Sequence, residues 1–425
     1  MTYKEFFAEA KDKGITNIQI TEQEEIKSSV SILNGDLEDF NSSNDTTYHI
    51  KAEYNNKTVK LFTNYLDTDI LDLIIFKSDS TDSEYADEYL NSIDNIKKNK
   101  PIKIDISSKV KELKDLDTLR KENKKIGKLS TYYLEGFKNT RIINSNDIDI
   151  STDIHYRKFG AYAITSNGKD NITYDRTILS TGKEKLDFKE LTEDVIEKAI
   201  IQSKREKLEN KKYNLIIDNN VAGEIISHLI GMLSASNVRL NVSCLGDKLN
   251  KKTFSNKLTV LEEPTNKKYP GYRLFDDEGT KTKDKVIIDK GKVNSFLYDI
   301  KEAKIKNTKS TGNGYGGISV TNMYVKPGKL TNEELIKKLD NGIIITDYMG
   351  SQGSAINHNN GQISIQIFGF IVENGKIVKG FEPAIMTTTI FELLSNIEEI
   401  GNDLVFTNTA CAAPSILIKD ISIAS

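Results

Sequence analysis

The residues best suited to chemistry in this sequence are Glu224 and His228, which lie in a helix-like stretch, residues 219–235. Apolar residues recur there at helical spacing, and a separation of four places Glu224 and His228 together on the opposite face. Such a pair could serve a hydrolytic zinc ion, the glutamate as general base and the histidine as ligand. Gly223 stands where that site would need another histidine. A single histidine on a helix is most often structural, so the residues alone predict no complete metal site.

Other potential metal ligands are scattered along the chain. His358 lies in the sequence Asn-His-Asn-Asn-Gly, which is typical of a turn and predicts an exposed histidine. His49 and His155 fall in alternating, strand-like segments and are interpreted as surface residues. Cys244 is interpreted as a small buried apolar group, and its separation from Cys411 fits no zinc-finger spacing.

Several short motifs follow one another in a fixed order along the second half of the chain. They are Phe275-Asp276-Asp277-Glu278-Gly279, residues 288–293, Phe296-Leu297-Tyr298-Asp299, Ser310-Thr311-Gly312-Asn313-Gly314, Gly350-Ser351 with residues 354–357, Gly369-Phe370 with residues 373–376, and Asn396-Ile397 with residues 401–404. Each motif alone is weak, but in order and spacing the set resembles the TldD/PmbA (TldE) family of peptidases. The resemblance covers residues 211–425 well and residues 30–200 more loosely.

The resemblance implies a division of labour between two branches of the family. One branch carries His-Glu-x-x-x-His on the helix and binds zinc, whereas the other lacks this motif and pairs with the first. This chain reads Gly223-Glu224-Ile225-Ile226-Ser227-His228, so it is most similar to the TldE/PmbA branch without the motif. The zinc-binding branch takes a further ligand from a cysteine near its C-terminus. Cys411 lies in that region, but its spacing from Pro414 does not place it at the ligand position.

The resemblance therefore implies that this chain has no catalytic residue and no cofactor, and that zinc is bound by a TldD-like partner subunit. The chain would be the metal-free subunit of a heterodimeric zinc metallopeptidase that degrades or processes unfolded or small peptides. Glu224 and His228 would face the substrate cleft as remnants of the zinc site. The segment Thr311-Gly312-Asn313-Gly314 is predicted to line the same cleft, because glycine lets a backbone approach a ligand closely. An extended peptide could be held as an added strand through main-chain hydrogen bonds.

Two other functions remain open from the sequence. In the first, the chain is an autonomous zinc metallopeptidase with a rearranged site, in which His228, His358 and Cys411 bind the metal and Glu224 is the general base. In the second, the chain is a non-enzymatic, peptide-binding homodimer. A neighbouring gene that encodes an intact His-Glu-x-x-x-His protein would favour the heterodimer over both.

Composition argues against several other classes of protein. The chain is 37% hydrophobic and 28% charged, as is usual for a globular protein. Its 59 basic and 62 acidic residues are interspersed and give a net charge of -3, so we expect no nucleic-acid partner. No apolar run reaches the roughly 18 residues of a membrane span, and the charged start does not resemble a secretory signal. We therefore expect a cytoplasmic protein without membrane contact, and its two cysteines offer no disulfide framework.

The pattern of predicted elements is mixed and indicates an α+β fold. The charge-rich run 202–212 predicts a boundary between an N-terminal mixed α/β region, residues 1–205, and a C-terminal region, residues 206–425. The N-terminal region is open to a further division into residues 1–100 and 101–205. For the C-terminal region, the resemblance implies a mainly β, curved, barrel-like domain with covering helices.

Individual elements can be assigned within both regions. Helices are predicted at residues 3–13, 107–125, 191–204, 219–235, 331–339 and 389–399. Strands or hairpins are predicted at residues 18–63 with a turn at Asn55-Asn56, 140–178 with a break at Asn167-Gly168, 213–217, 286–298 with a turn at 289–291, and 363–378 with a turn at Asn374-Gly375. Asn219 or Asn220 is expected to cap the helix that carries Glu224.

Overall fold

The computed structural model of the protein describes residues 2–79, 103–181, 186–349 and 356–425. The structure is 44% strand and 23% helix. These elements form a mixed α+β fold with a closed five-stranded β-barrel and a curled half-barrel sheet. The predicted fold class is confirmed. The motif residues 350–355 and the predicted division near residue 100 lie outside the described residues. Nowhere in the described ranges is a helix both long enough and apolar enough to cross a bilayer.

The first sheet contains six strands. They are β1 Asn17–Leu33, β2 Asp36–Tyr54, β3 Lys57–Thr63, β4 Ile126–Asn144, β5 Asp149–Ser166 and β6 Asn171–Thr181. All neighbours are antiparallel, in the order β3-β2-β1-β4-β5-β6. The predicted turn joins β2 to β3, with Asn55 and Asn56 at φ 50° and 60°, a left-handed conformation that asparagine tolerates. The predicted break at Asn167-Gly168 separates β5 from β6.

Five helices accompany this sheet along the chain. They are α1 Tyr3–Asp12, α2 Asp69–Ser78, α3 Ser107–Asp115, α4 Asp117–Glu122 and α5 Phe188–Gln202. α5 packs on the sheet through Phe188, whose ring stacks on Phe159 with centroids 4.3 Å apart. The single helix predicted at 107–125 is wrong in extent, because it divides at Leu116 and ends at Glu122. At the division the Thr118 hydroxyl donates to the Asp115 carbonyl at 2.8 Å, a local bond that competes with regular helix.

Five strands of the second half close into a barrel. They are β8 Lys211–Ile217, β13 Gly342–Met349, β14 Gln362–Glu373, β16 Ala384–Thr389 and β19 Ile416–Ala424. Their order is β13-β8-β19-β16-β14, and a further pairing of β13 with β14 closes the ring, which leaves these five strands without a free edge. β15 Lys376–Phe381 forms the predicted hairpin with β14, with Asn374 and Gly375 at φ 52° and 69°. β7 Arg205–Glu206 pairs with β15, so the predicted boundary run contributes a strand to this sheet.

In a second, smaller sheet, four strands lie between β8 and β13 in sequence, and the fifth lies between β16 and β19. Its strands are β9 Val260–Glu262, β10 Lys285–Asp289, β11 Lys292–Val293, β12 Met323–Val325 and β18 Cys411–Ala412, in the order β11-β10-β9-β12-β18. The remaining elements are α6 Asn219–Leu233, α7 Ala235–Arg239, α8 Ile300–Ile305, α9 Asn332–Leu339, α10 Ile390–Ser395 and β17 Ile397–Ile400. The helix predicted at 389–399 is therefore too long. It ends at Ser395 because residues 397–400 pair with β19, a tertiary contact that overrides local propensity.

α6 occupies the centre of the second half. It contacts β13 of the barrel and β12 and β18 of the smaller sheet, and Leu229, Met232 and Leu233 are fully buried in the main hydrophobic core. Another apolar cluster joins α5 and the first sheet to barrel residues such as Ile216 and Phe370. The two halves thus share a packed core, and the predicted division at residues 205 and 206 stays a prediction.

Candidate functional site

α6 places Glu224 and His228 on one face, as the sequence predicts. Glu224 is exposed and His228 is half-buried, whereas the apolar side of the helix lies in the core. The helix is capped by Asp218, whose carboxylate accepts a hydrogen bond from the Asn220 backbone amide at 3.0 Å. The predicted cap at Asn219 or Asn220 is therefore wrong, because an aspartate just before them already satisfies the free amide.

Gly223 is tightly packed against the main chain near the C-terminus. A Cβ added to Gly223 would lie 2.9 Å from Ala412 Cα and 3.2 Å from the Ala413 backbone nitrogen. Contacts this short require the backbone to move, which a close-packed interior resists. The segment cannot yield freely, because Cys411 pairs in β18 with Met323 of β12. The position of the missing ligand is thus filled by backbone, so the site is closed sterically as well as lacking a histidine.

A second histidine reaches His228 from a distant part of the chain. His358 Nε2 lies 3.3 Å from His228 Nδ1, and the two rings meet edge to face. Gly231 makes room for this approach, because a Cβ there would lie 2.5 Å from both Cε1 and Nδ1 of His358. His358 does lie in a turn, but the prediction that its side chain is exposed is wrong, since the ring packs onto α6 and is half-buried.

The histidine pair is neutral near pH 7. Burial lowers the pKa of His228, and the nearby His358 lowers it further. Burial also lowers the pKa of His358. Two neutral imidazoles can share a hydrogen bond when one presents its N–H to the lone pair of the other. The pair therefore retains one donor nitrogen and one acceptor nitrogen beyond the bond that the two rings share.

An acidic surface borders Glu224 at the end of β13. Burial and then the charge of Glu224 raise the pKa of the Tyr348 hydroxyl. Burial is also the main cause of the raised pKa of Asp347, to which the charges of Asp175 and Glu224 add. Asp347 thus lies near both Glu224 and Asp175, and the three carboxylates supply hydrogen-bond acceptors, which favours ligands with N–H donors.

The residues around His228 do not fit a hydrolytic zinc centre. Such a centre needs three protein ligands and an open position for water. Across the residues that the structure describes, no three His, Cys, Asp or Glu side chains are grouped to hold one metal ion. Cys411 is only 1% exposed, and burial raises the pKa of its thiol, which disfavours the thiolate that a metal binds. Cys244 is half-buried, and its backbone amide donates a hydrogen bond to the His358 carbonyl oxygen at 2.8 Å.

The segment predicted to line the substrate cleft, residues 311–314, is engaged in internal hydrogen bonds. The Thr311 hydroxyl donates to Asn313 Oδ1 at 2.7 Å, and the Gly314 backbone amide donates to Asp276 at 2.9 Å. Gly312 has a φ of 74°, which favours glycine. Among the described residues no hydrogen bond joins this segment to His228. Its place in the cleft stays a prediction.

Asn313 belongs to a buried ion pair that sequence reasoning missed. Glu262 is fully buried, and the Lys285 ammonium lies 2.8 Å from Glu262 Oε2. The Asn313 amide donates to the two carboxylate oxygens at 2.9 and 3.1 Å, and the Thr321 backbone amide adds a bond of 3.2 Å. Burial raises the pKa of Glu262, and Lys285 opposes this shift. The sequence signal for this buried pair is a glutamate that directly follows the apolar residues Val-Leu. In the structure it pairs across the sheet with Lys285.

Asp276, in the motif Phe275-Asp276-Asp277-Glu278-Gly279, organises the loop that follows. It is fully buried, and its carboxylate accepts hydrogen bonds from the backbone amides of Glu278, Thr280 and Gly314 at 3.0, 2.8 and 2.9 Å. Burial outweighs these donors and raises the pKa of Asp276 to about 7. The motif thereby fixes the loop to the glycine-rich segment at residue 314.

Asp276 is expected to make stability depend on pH. Its pKa is raised from 3.8 to about 7 in the folded chain, so the folded state binds more protons than the unfolded state between those values. The free energy of unfolding therefore falls as pH rises through this window, by up to about 1.4 kcal/mol per pH unit. Urea unfolding of the wild type and of Asp276→Asn at several pH values should show a steeper fall in the wild type, because other carboxyl groups with a raised pKa, such as Glu262, contribute equally to both proteins. Equal slopes would contradict the assignment.

The N-terminal end of α6 is tied to α5 and to the first sheet. Arg176 of β6 donates to Asp218 at 2.9 Å and to Asn219 Oδ1 at 2.6 Å, and Asp194 of α5 lies 4.0 Å from the same guanidinium. Asn219 also donates to the Asp403 carbonyl at 2.7 Å. Because these residues are far apart in sequence, only the tertiary structure reveals that they hold the start of the helix that carries Glu224.

The two other histidines lie on strands of the first sheet. His49 is exposed on the first sheet and meets the Phe62 ring edge to face, with centroids 4.7 Å apart. His155 is half-buried, and its Nε2 lies 2.8 Å from Glu135 Oε1. Both histidines lie in strands, as predicted, and the interpretation as a surface residue holds for His49, whereas His155 is less exposed than expected.

Comparison with known protein families gives two adjacent matches. The domain described as the PmbA/TldA metallopeptidase C-terminal domain matches residues 210–425. The domain described as the PmbA/TldA metallopeptidase central domain matches residues 99–202. The first match covers α6 with Glu224 and His228, the barrel and the smaller sheet.

Individual relatives agree with these matches. The "Metalloprotease PmbA" of Escherichia coli O157:H7 is 31% identical over 219 residues, which are 51% of this chain and 47% of that protein. The chain thus spans about half the length of this curated relative. A Thermotoga maritima crystal structure, described as a candidate modulator of a DNA gyrase, superposes with a TM-score of 0.87 at 25% identity and covers 100% of both chains. TldE from Thermococcus kodakarensis has a TM-score of 0.81 at 18% identity, covering 99% of both chains, and shares the fold.

Proposed function

Because the chain belongs to the PmbA/TldD metallopeptidase family, we propose that it is the metal-free partner subunit of a two-subunit zinc metallopeptidase that acts on unfolded or small peptides. The observation that carries the proposal is the packing at Gly223. The position where a zinc ligand would stand has no side chain, and a Cβ there would lie 2.9 Å from Ala412 Cα. The hydrolytic chemistry would then come from a TldD-like subunit with an intact His-Glu-x-x-x-His motif.

In this proposal the chain contributes binding and orientation. Glu224 with Asp347 and Asp175 supplies acceptors, and the pair His228 and His358 supplies one donor and one acceptor. These groups match the alternating N–H and C=O groups of an extended peptide backbone. A ligand recognised through its backbone is selected for being unfolded more than for its sequence. We further propose a cytoplasmic location and no nucleic-acid partner, in keeping with the net charge of -3.

One observation favours a second function, an autonomous metallopeptidase with a rearranged site. Two nitrogens bound to one tetrahedral zinc at about 2.1 Å lie about 3.4 Å apart, and His228 Nδ1 and His358 Nε2 are 3.3 Å apart. The pair could thus share a metal, with Glu224 one helical turn away. Against this function stands the lack of a third ligand among the described side chains.

Reconstitution separates the two functions. The chain is purified alone and mixed with a relative from the same genome that carries His-Glu-x-x-x-His, and cleavage of unfolded fluorogenic peptides is measured. We expect no cleavage by the chain alone, and at least about tenfold more by the mixture than by the relative alone. Cleavage by the chain alone that is lost in His228→Ala would establish the autonomous enzyme. A relative that is equally active without the chain would reject the partner role.

A further inference from the structure

A polar cavity lies between the first sheet and the second half of the chain. Its volume is about 330 Å³, within the range of pockets that hold small molecules. One wall is the face of the first sheet where Gln23, Thr140 and Thr152 stand side by side on β1, β4 and β5. The opposite wall includes Arg273 and Tyr315. The cavity is separate from the histidine pair, since neither His228 nor His358 lines it.

Lys138 of β4 supplies a cation to the wall of this cavity. Its side chain is half-buried and lines the cavity, and within the described residues its ammonium makes neither a hydrogen bond nor an ion pair. Glu25 of β1 lies directly opposite Lys138 in the strand pairing, and the charges of Glu25 and Asp277 favour the ammonium, whereas those of Arg273 and Lys27 oppose it. Burial is the main cause that lowers the pKa of Lys138. A partly desolvated ammonium that makes no hydrogen bond is stabilised further by an anion placed in contact with it.

Two hydroxyl groups in the same walls also lack partners. Thr152 Oγ1 and the Tyr315 hydroxyl are buried without a hydrogen bond in the described structure, and Thr152 is only 4% exposed. Leaving a buried hydroxyl unpaired is unfavourable, so each of these groups would gain from an acceptor. Arg273 is already committed, because its guanidinium lies 2.7 Å from Asp277 and over the Tyr315 ring.

We propose that this cavity binds a carboxylate group through the Lys138 ammonium and the hydroxyls of Thr152 and Tyr315. A carboxylate only accepts hydrogen bonds, and its two oxygens can take all three donors. A phosphate dianion is a poorer match, because its second negative charge would need a second free cation. Among the described lining residues Arg273 is already paired, and Asp153 and Asp277 add negative charge. The carboxylate could belong to a free small acid or to the C-terminus of a peptide, and the second source rests on the proposed function.

The site itself is tested with acetate. Thermal unfolding of the full chain is followed in sodium acetate and in sodium chloride at equal ionic strength, for the wild type, Lys138→Met and Lys128→Met. Lys128 lies exposed on the same strand and is the matched control. In the wild type and in Lys128→Met, acetate should raise the unfolding midpoint relative to chloride. The same comparison should give a smaller shift in Lys138→Met. An equal acetate effect in all three proteins would overturn the proposal, and so would no effect in any of them. Tyr315→Phe provides a second variant with an intermediate effect expected.

The source of the carboxylate is tested with a fluorescently labelled hexapeptide of alanine and serine, prepared as the free acid and as the C-terminal amide. We expect the acid to bind about tenfold more tightly than the amide, and Lys138→Met to abolish this difference. Equal binding of acid and amide would reject the peptide C-terminus and leave a free small acid as the ligand. Failure of the reconstituted peptidase would not alter the acetate result, so the two proposals fail separately.

Discussion

Replacement of Gly223 by histidine is expected to destabilise the fold by about 3 kcal/mol and to create no zinc site. The new Cβ would lie 2.9 Å from Ala412 Cα, and the imidazole would have to enter space that residues 411–413 occupy. Cys411 is paired with Met323, so the segment can move only by breaking β18 away from β12. The loss should be measured by urea unfolding, and zinc by elemental analysis of the same preparation.

Asn220→His is the control for this substitution. It introduces the same side chain at a half-buried position in the first turn of α6, and asparagine and histidine have similar helix propensities. We expect a change below about 0.5 kcal/mol for this variant. A Gly223→His protein that is as stable as the wild type and holds one zinc per chain would show that only the histidine was missing.

Replacement of Lys285 by methionine is expected to cost about 3–5 kcal/mol. Glu262 is fully buried, and Lys285 is its cation at 2.8 Å. Without the ammonium, the carboxylate must either remain charged in the interior or take up a proton. The loss should therefore shrink as pH is lowered, because protonation of Glu262 then becomes less costly. Urea unfolding at neutral and mildly acidic pH measures both effects.

Two further variants separate the buried charge from the loss of the side chain. Lys283→Met removes an exposed lysine two residues earlier and should change stability by less than about 0.5 kcal/mol. The double variant Glu262→Gln with Lys285→Met removes both charges and should recover much of the loss. If the double variant is as unstable as Lys285→Met, the cost lies in packing and the ion-pair explanation is wrong.

The parts of the fold that sequence predicts well are those with local signals. The turn at Asn374-Gly375 and the turn at Asn55-Asn56 need left-handed backbone, and the residues there tolerate it. The helix α9 begins at a capping box formed by Thr331 and Glu334, which acts within one turn. α6 follows from its own apolar spacing. In each case the residues that determine the structure are close in sequence.

The sequence-based predictions fail where the local structure depends on residues that are distant along the chain. The helix predicted at 389–399 ends early because residues 397–400 are taken into pairing with β19. His358 was expected to be exposed because its turn is visible in the sequence, whereas the neighbour that covers it, His228, is 130 residues away. The room for that contact depends on Gly231, whose role cannot be read from helix propensity.

The sequence predicts only those features of the candidate site that depend on residues close together along the chain. Sequence identifies the helix, the shared face of Glu224 and His228, and the absence of a ligand at Gly223. It does not show that backbone from residues 411–413 fills the vacant position. Nor does it show that Asn313, expected in the cleft, is fully buried against Glu262. Close packing and buried pairing are properties of the assembled structure.

The central claim is that this chain has no hydrolytic zinc site of its own, and zinc content tests it most directly. The chain is purified alone without chelator, incubated with zinc, dialysed and analysed for metal per chain, beside His228→Ala prepared in the same way. We predict less than about 0.1 zinc per chain in both proteins, because an incomplete ligand set releases the metal on dialysis. About one zinc per wild-type chain, lost in His228→Ala, would contradict the account and identify an autonomous metallopeptidase.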